Sequence, residues 1–266
     1  KKKAPMMPLG LFKSSTFAGA NLLTLFLYAG LGGLLFFLPF NLIQVQGYSP
    51  TAAGAALLPF VITMFALGRW AGGLVERYGS KIPLVVGPLI AGGGFALFAL
   101  PAADGHSYWI DFFPAIMVMS VGMAVSVSPL TTTVMGAVEV RHAGLASGIN
   151  NAVSRVAGLI AVAAFGVAML YVFDLGFAEK LQAIQLPDEV RQNLLSQSGK
   201  FLNLEIPQNI ARDTADAIRT AVRDSFVAGF RVVSLVSAVL AVLSSIASWM
   251  LIDGKTKIDS NSSANK

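Results

Sequence analysis

The stretch Gly72-Gly73-Leu74-Val75-Glu76-Arg77-Tyr78-Gly79-Ser80-Lys81 decides the fold of this chain. It is a short charged turn between two long apolar stretches. The residues from Ser14 to Gly68 include no Asp, Glu, Lys or Arg, and a span of ~20 apolar residues crosses the ~30 Å of bilayer hydrocarbon. The charge-free stretch is therefore long enough for two crossings. A helix would leave the membrane near Val75, turn at Gly79 and re-enter near Ile82.

The composition argues against a soluble protein. Hydrophobic residues make up 55% and charged residues 12% of the 266 residues, and the mean hydropathy is +0.69. A soluble domain of this size would need more charge on its surface. The net charge of +5 comes from basic residues scattered between apolar stretches. This pattern indicates membrane topology and not a nucleic-acid surface.

Six apolar stretches predict an all-α membrane protein with six transmembrane helices. Short turns separate most of them, so neighbouring helices must be antiparallel. Because the chain begins with Lys1 and not with Met, we expect a fragment of a longer protein. The predicted spans cover 17–40, 52–75, 82–101, 112–138, 145–173 and 226–252. The predicted domains are a cytoplasmic linker (1–16), spans one to five (17–173), an extracytoplasmic loop with short helices (174–225), the sixth span (226–252) and a cytoplasmic tail (253–266).

The distribution of lysine and arginine predicts the orientation. With the N-terminus inside, the short inner segments hold ten Lys and Arg residues, whereas the outer loops 41–51 and 102–111 hold none. Positive residues in short loops remain on the cytoplasmic side of the membrane. We therefore predict that both termini are cytoplasmic.

The charged turn resembles the signature between the second and third helices of a major facilitator superfamily repeat, Gly-x-Leu-x-acid-Arg-x-Gly-x-Lys. Six residues carry the match, namely Gly72, Leu74, Glu76, Arg77, Gly79 and Lys81. Two positions depart from it, since Glu76 replaces the commoner Asp and Ser80 stands where a basic residue is usual. Further segments are similar to the C-terminal half of the fourteen-helix drug:proton antiporter family, namely 8–13, 47–50 with Gly54, 128–130 and 142–151.

This resemblance implies half of a transporter in a bacterial inner membrane, built as two inverted three-helix units. The expected partners are the N-terminal half of the same transporter, a small amphipathic substrate and the lipid bilayer, but no nucleic acid. The expected function is export by alternating access. Proton coupling would come from the missing half, because apart from Glu76 at a membrane edge no Asp or Glu lies inside any predicted span. The alternative is a transporter-derived scaffold or homodimer without independent transport.

The resemblance places the charged turn at the inner mouth of the transport path. It implies that Glu76, Arg77 and Lys81 hold an inner gate closed in one state. The alternative is that these charges only anchor the helix ends. We expect no enzyme activity, no cofactor and no metal, because the histidines, His106 and His142, fall in loops on opposite sides and no nucleophile has a base nearby.

Two polar faces are candidates for the substrate cavity. Asn21, Thr24 and Tyr28 share one face of the first span, and Asn151, Ser154 and Arg155 share a polar stripe on the fifth. By family analogy the first-span face lines the central cavity; the alternative is hydrogen bonding between helices. Arg155 is predicted near mid-depth, where an isolated charge costs at least ~2.5–3.5 kcal/mol. Its stripe must face protein or water, and contact with substrate or partner and simple packing both stay open.

Overall fold

The structure is a computed structural model that describes residues 9–103, 107–207 and 210–253. All regular secondary structure in these ranges is helical. The helices are α1 (Ser15–Phe40), α2 (Pro50–Ala55), α3 (Leu58–Gly72), α4 (Leu74–Tyr78), α5 (Lys81–Leu97), α6 (Tyr108–Asp111), α7 (Phe113–Gly136), α8 (Ala143–Gln182), α9 (Asp188–Ser196) and α10 (Arg212–Leu251). A π-helical turn, Asn41–Val45, extends α1, and short 3₁₀ helices cover Leu9–Lys13, Val140–His142 and Ser198–Asn203.

Six membrane-spanning segments are present, as predicted. Five helical segments are long and apolar enough to cross a bilayer, and the sixth, α5, has 17 residues, which is the lower end of the spanning range of about 17–25 residues. Local signals set the helix starts. The Ser14 side chain accepts a hydrogen bond from the backbone of Phe17, and the Ser49 side chain caps α2 ahead of Pro50, as N-cap residues and N1 prolines do.

The helices pack as two inverted three-helix units, α1–α3–α5 and α7–α8–α10. The helix α1 packs on α8 and α10 of the other unit, and α7 packs in the same way on α3 and α5. In addition, α5 packs on α10. Exchanging the two units maps each of these contacts onto another one or onto itself, as the pseudo-two-fold of an inverted repeat requires. The symmetry is incomplete, because α8 also packs on α10 and on α7, and the described residues show no comparable contacts of α3 with α5 or with α1.

The C-terminal part of α8 and the N-terminal part of α10 extend beyond the predicted spans. The helix α8 continues past residue 173 to Gln182, and α10 begins at Arg212 instead of 226. The reason is that buried apolar side chains continue beyond the stretch that hydropathy identifies. Phe173 and Phe177 stack with ring centroids 5.4 Å apart, and both side chains are buried. Most of the predicted linker (1–8) and tail (254–266) lies outside the described residues.

Small residues allow the central helices to approach one another closely. A Cβ atom added to Gly122 of α7 would overlap the backbone nitrogen of Ala91 on α5 and lie 2.6 Å from its Cα. A Cβ atom added to Gly94 would overlap the backbone of Met119 in the same way. Close backbone approach through small residues is a main source of helix association in lipid. The α5–α7 contact therefore depends on these glycines.

We predict that Gly122→Ala lowers the free energy of unfolding by about 1–3 kcal/mol, because the added methyl group forces the two backbones apart. The control is Gly93→Ala on α5, where the nearest heavy atom to a new Cβ atom, Val118 Cγ1, is 3.9 Å away. Alanine is also the better helix former by about 1 kcal/mol, so the control should be neutral or stabilising. Unfolding of the purified protein in mixed detergent measures both values, and equal effects of the two substitutions would refute the prediction.

Candidate functional site

The geometry of the charged turn is set at Gly79. This residue ends α4 with φ +74° and donates its N–H to the Val75 carbonyl at 2.9 Å. Only glycine adopts this left-handed region without strain. The next helix, α5, then starts at Lys81. The structure therefore shows why the turn needs glycine at this position.

Ser80, which departs from the family signature, ties the turn to residues near both ends of the described chain. Its side chain is fully buried and its hydroxyl donates to the Asp253 carbonyl at 3.4 Å. Asp253 in turn accepts the Thr16 hydroxyl at 3.4 Å, and its N–H donates to Thr16 at 3.3 Å. A basic side chain at position 80 would carry a charge into this buried place. The small hydroxyl therefore joins α5 to the start of α1 and to the residue that follows α10.

The charged members of the turn lie on its surface. Glu76 and Arg77 are exposed, and Lys81 is half-buried. The Arg77 guanidinium lies over the Tyr78 ring, 5.4 Å from its centroid. No described ion pair includes Glu76. A gate that pairs Glu76 with a base would need that base from outside the described part of the chain, and the gating role stays a prediction.

Asn21 and Thr24 lie buried between α1 and α8. Asn150 on α8 donates through its side-chain amide to Thr24 Oγ1 at 2.6 Å and to Asn21 Oδ1 at 3.3 Å. Thr24 donates to the Ala20 carbonyl, and Asn21 to the Phe17 carbonyl, both at 2.8 Å. In this conformation the two residues face α8 and not an open cavity. Their geometry supports the helix-to-helix hydrogen-bonding alternative, and the cavity role stays a prediction.

Sequence reasoning missed Asn150 as the partner of these residues. Asn150 is at the edge of the polar stripe on α8, next to Asn151, and the sequence alone could not show which of the two points toward α1. The structure separates them, since Asn150 is half-buried and Asn151 is exposed. The one signal in the sequence was the position of Asn150 at the edge of the polar stripe on the fifth span, which made it a candidate hydrogen-bond partner for another helix.

The other predicted cavity residues come together at one level of the α1–α8 pair. Arg155 lies on α8 between Asn150, which bonds to Thr24, and Gly158, whose Cα would lie 3.0 Å from a Cβ atom added to Gly32. Tyr28 lies midway between Thr24 and Gly32 on α1. Because both helices run in the same direction, Tyr28 and Arg155 lie at the same depth.

The exposure of these residues differs. Tyr28 and Ser154 are half-buried, while Asn151 and Arg155 are exposed. The Ser154 hydroxyl donates to the Asn151 carbonyl at 2.8 Å. No described carboxylate forms an ion pair with Arg155. The six helices therefore present an uncompensated positive charge on the α8 surface.

The depth of this charge follows from α1. Tyr28 is thirteen residues after Ser15, where α1 begins, and a helix rises about 1.5 Å per residue. Arg155, at the level of Tyr28, is therefore about 20 Å from the N-terminal end of α1. This level is well inside the apolar segment Ser15–Val45, which is long enough to cross a bilayer.

Asp174 is an acid that the predicted boundaries placed outside the spans. The helix α8 continues through it, and its Oδ1 atom is buried without a hydrogen-bond partner among the described residues. Met169, five residues earlier, packs against Gly229 on α10. Gly229 is two residues before Arg231, and the Arg231 guanidinium donates to the Pro101 carbonyl at 3.5 Å. Asp174 therefore lies beyond the C-terminal end of α5.

The chain is similar to known membrane transporters. The sequence model described as Major Facilitator Superfamily matches residues 1–162. The chain is 30% identical over 185 residues to the tetracenomycin C resistance and export protein of Streptomyces glaucescens, with 69% of this chain and 34% of that protein covered. It is 25% identical over 251 residues to the multidrug resistance protein Stp of Mycobacterium tuberculosis (strain ATCC 25618 / H37Rv), with 92% of this chain and 46% of that protein covered. The chain thus spans less than half the length of these relatives.

One solved structure has the same fold. The crystal structure of a bacterial homologue of the human lysosomal transporter Spinster, in an inward-facing and unoccupied conformation, superposes with a TM-score of 0.62 at 18% identity. The match covers 95% of this chain and 53% of that chain. The similarity therefore extends to all six spans of this chain.

We predict that Asn150 and Thr24 are energetically coupled. In a double-mutant cycle of Asn150→Ala and Thr24→Ala, the coupling energy should be about 0.6 kcal/mol and at most about 1.7 kcal/mol, as for other hydrogen bonds between membrane helices. Unfolding in mixed detergent measures each variant. Asn151→Ala combined with Thr24→Ala is the matched control and should show no coupling. A zero value for the Asn150 cycle would mean that the hydrogen bond does not form.

Proposed function

Since this chain belongs to the Major Facilitator Superfamily, we propose that it forms one half of a transporter that exports small amphipathic, drug-like compounds by alternating access. The chain is an integral membrane protein of a family of transporters and not of enzymes. The relatives named for multidrug resistance and for tetracenomycin C export support drug export. The partner would be a second half of the same transporter, in a bacterial inner membrane with both termini of this chain in the cytoplasm.

The exposed charge of Arg155 carries this proposal. An isolated arginine near the bilayer centre costs at least about 2.5–3.5 kcal/mol against lipid. The described helices supply no carboxylate for it. The α8 face that holds Arg155 and Asn151 must therefore meet water or another part of a protein. A second half provides both, because the substrate path in this family lies between two halves.

Two other surfaces of the bundle differ from this face in chemistry. The helix α10 exposes an apolar stripe that includes Leu235, Val239 and Ile246, which suits contact with lipid. The outer end of α1 instead borders a cavity of 280 Å³. Five aromatic rings line that cavity together with Gln44 and Lys200, namely Phe36, Phe37, Phe40, Phe201 and Phe226. Such a lining, apolar with few polar groups, fits an amphipathic aromatic compound.

The turn between α4 and α5 suits a role in gating at the inner end. The Thr16–Asp253–Ser80 contacts join α1, α5 and the end of α10, so the inner ends of three helices would move together. Glu76 would pair with a base of the second half in one state and lose that pair when the halves rock apart. The second half would also supply proton coupling, because α8 holds no acid between Arg155 and Asp174.

We predict that Arg155→Ala lowers the transport rate at least about tenfold, since removing one member of a desolvated charge pair costs about 2–5 kcal/mol. Glu76→Gln, which keeps the shape and removes the charge, should also slow transport. The measurement is uptake of ethidium and of tetracycline into inverted membrane vesicles that contain the complete protein, with a pH gradient imposed. The amount of protein in the membrane is measured for every variant.

The matched control is Arg219→Gln. Arg219 is exposed and pairs with Asp216 at 2.6 Å, and exposed pairs of this kind contribute about 0–1 kcal/mol. The control should transport at the wild-type rate. Wild-type rates for both Arg155→Ala and Glu76→Gln would refute the site assignments. A wild-type protein that moves neither compound would contradict drug export, and full transport by residues 1–266 alone would contradict the half-transporter proposal.

A further inference from the structure

A basic cavity lies at the outer end of the bundle, away from the α1–α8 face. It has a volume of 540 Å³ and lies between the end of α8, the helix α10 and residues 102–103. Its α10 residues recur at helical spacing and form one face, with Thr220, Arg223, Asp224 and Arg231 as the polar members. Alanines at 102, 103 and 228 form part of the wall and leave room beside the polar groups.

The charges of this cavity favour an anion. Its lining holds Lys180, Arg223 and Arg231 but a single acid, Asp224. The acid is already used, because Lys180 Nζ lies 3.1 Å from Asp224 Oδ2. Among the residues that the structure describes, no carboxylate pairs with Arg223 or Arg231. Arg231 also donates to the Pro101 carbonyl at 3.5 Å, but a guanidinium has five N–H donors. Both arginines therefore keep donors for a ligand.

The depth of Arg231 fits the membrane surface. Arg231 and Leu251, the last residue of α10, are twenty residues apart, and the sequence between them holds no charged residue. Twenty residues of helix rise about 30 Å, which equals the thickness of the hydrocarbon. Arg231 is thus at the outer hydrocarbon boundary, and Arg223 lies about 12 Å further out. Lipid phosphates occupy this zone.

An apolar stripe leads away from the cavity into the bilayer. Leu235, Val239, Val242 and Ile246 follow Arg231 at intervals of three and four residues on the same face of α10. All four side chains are exposed, from 43% to 58%. An acyl chain of a lipid whose headgroup occupied the cavity would lie along this stripe. A free anion would gain nothing from it.

We propose that this cavity binds the phosphate group of an anionic phospholipid, whose acyl chain packs along the α10 stripe. Arginine binds phosphate oxygens through two parallel N–H donors, and basic pockets between transmembrane helices bind anionic headgroups. Arg231 holds the phosphate at the boundary, Arg223 contacts the outer part of the headgroup and the Thr220 hydroxyl donates a further hydrogen bond. The site is independent of the transport path.

The test measures the thermal stability of the purified protein in detergent while one of three probes is added, since a ligand of the native state stabilises it. The probes are dioctanoyl phosphatidylglycerol, dioctanoyl phosphatidylcholine and inorganic phosphate. We expect phosphatidylglycerol to raise the melting temperature of the wild type much more than the other two. The double variant Arg223→Gln/Arg231→Gln should bind phosphatidylglycerol at least about tenfold more weakly. The loss of one hydrogen bond to a charged group is enough to weaken binding about tenfold.

Two further variants keep the test decisive if the glutamine variant folds poorly. Arg223→Lys/Arg231→Lys keeps both charges and should retain much of the effect. Arg212→Gln/Arg219→Gln removes the same charge from α10 outside the cavity and should respond as the wild type does. Equal stabilisation by phosphatidylcholine, or by phosphate alone, would overturn the lipid assignment. An unchanged response of the glutamine variant would overturn the site. None of these readouts depends on transport.

Discussion

The bilayer offers no hydrogen-bond partners, and this constraint explains where the polar side chains of the bundle lie. Three serines of α10 illustrate it. Ser237 and Ser244 donate to the carbonyls of Gly30 and Leu23 on α1 at 3.0 and 3.1 Å, and Ser245 donates to Val85 on α5 at 2.8 Å. Each small hydroxyl donates its hydrogen bond to a backbone carbonyl of the neighbouring helix, and its small size lets the helices approach closely. The same logic joins Asn150 to α1 and buries Ser80 beneath the charged turn.

Arg155 is a charged residue for which the described helices do not meet this requirement. Its charge lies on an exposed face about 20 Å from the level at which α1 begins, while the exposed face of α10 is apolar. In a bundle surrounded by lipid alone, this charge would be destabilising and no other interaction would offset its cost. The difference between the two faces therefore implies a polar neighbour for α8. Because substrate paths in this family lie between two halves, a second half of the transporter would be such a neighbour.

The sequence was sufficient to predict whatever a single helix determines. Six apolar stretches, the turn at Gly79 and the polar faces of α1 and α8 all follow from spacing and composition, and the inverted three-helix units follow from the resemblance. Contacts between helices could not be predicted in this way. The choice of Asn150 over Asn151 as a partner depends on how α8 is rotated against α1. Beyond the region that hydropathy identifies, the extensions of α8 and α10 meet through Phe201, whose ring contacts Phe173 of α8 and Phe226 of α10.

The central claim is that the Asn151–Arg155 face of α8 is shielded from lipid in the complete protein. This chain has no cysteine, so once any cysteine of the other half is replaced, a spin label can be attached to the complete protein at Asn151→Cys or at Val239→Cys. Both positions are exposed in the six-helix unit. The accessibility of each label to oxygen and to a polar nickel complex distinguishes lipid from water or protein. Our account predicts a lipid signature at residue 239 and none at residue 151. A lipid signature at both positions would contradict it.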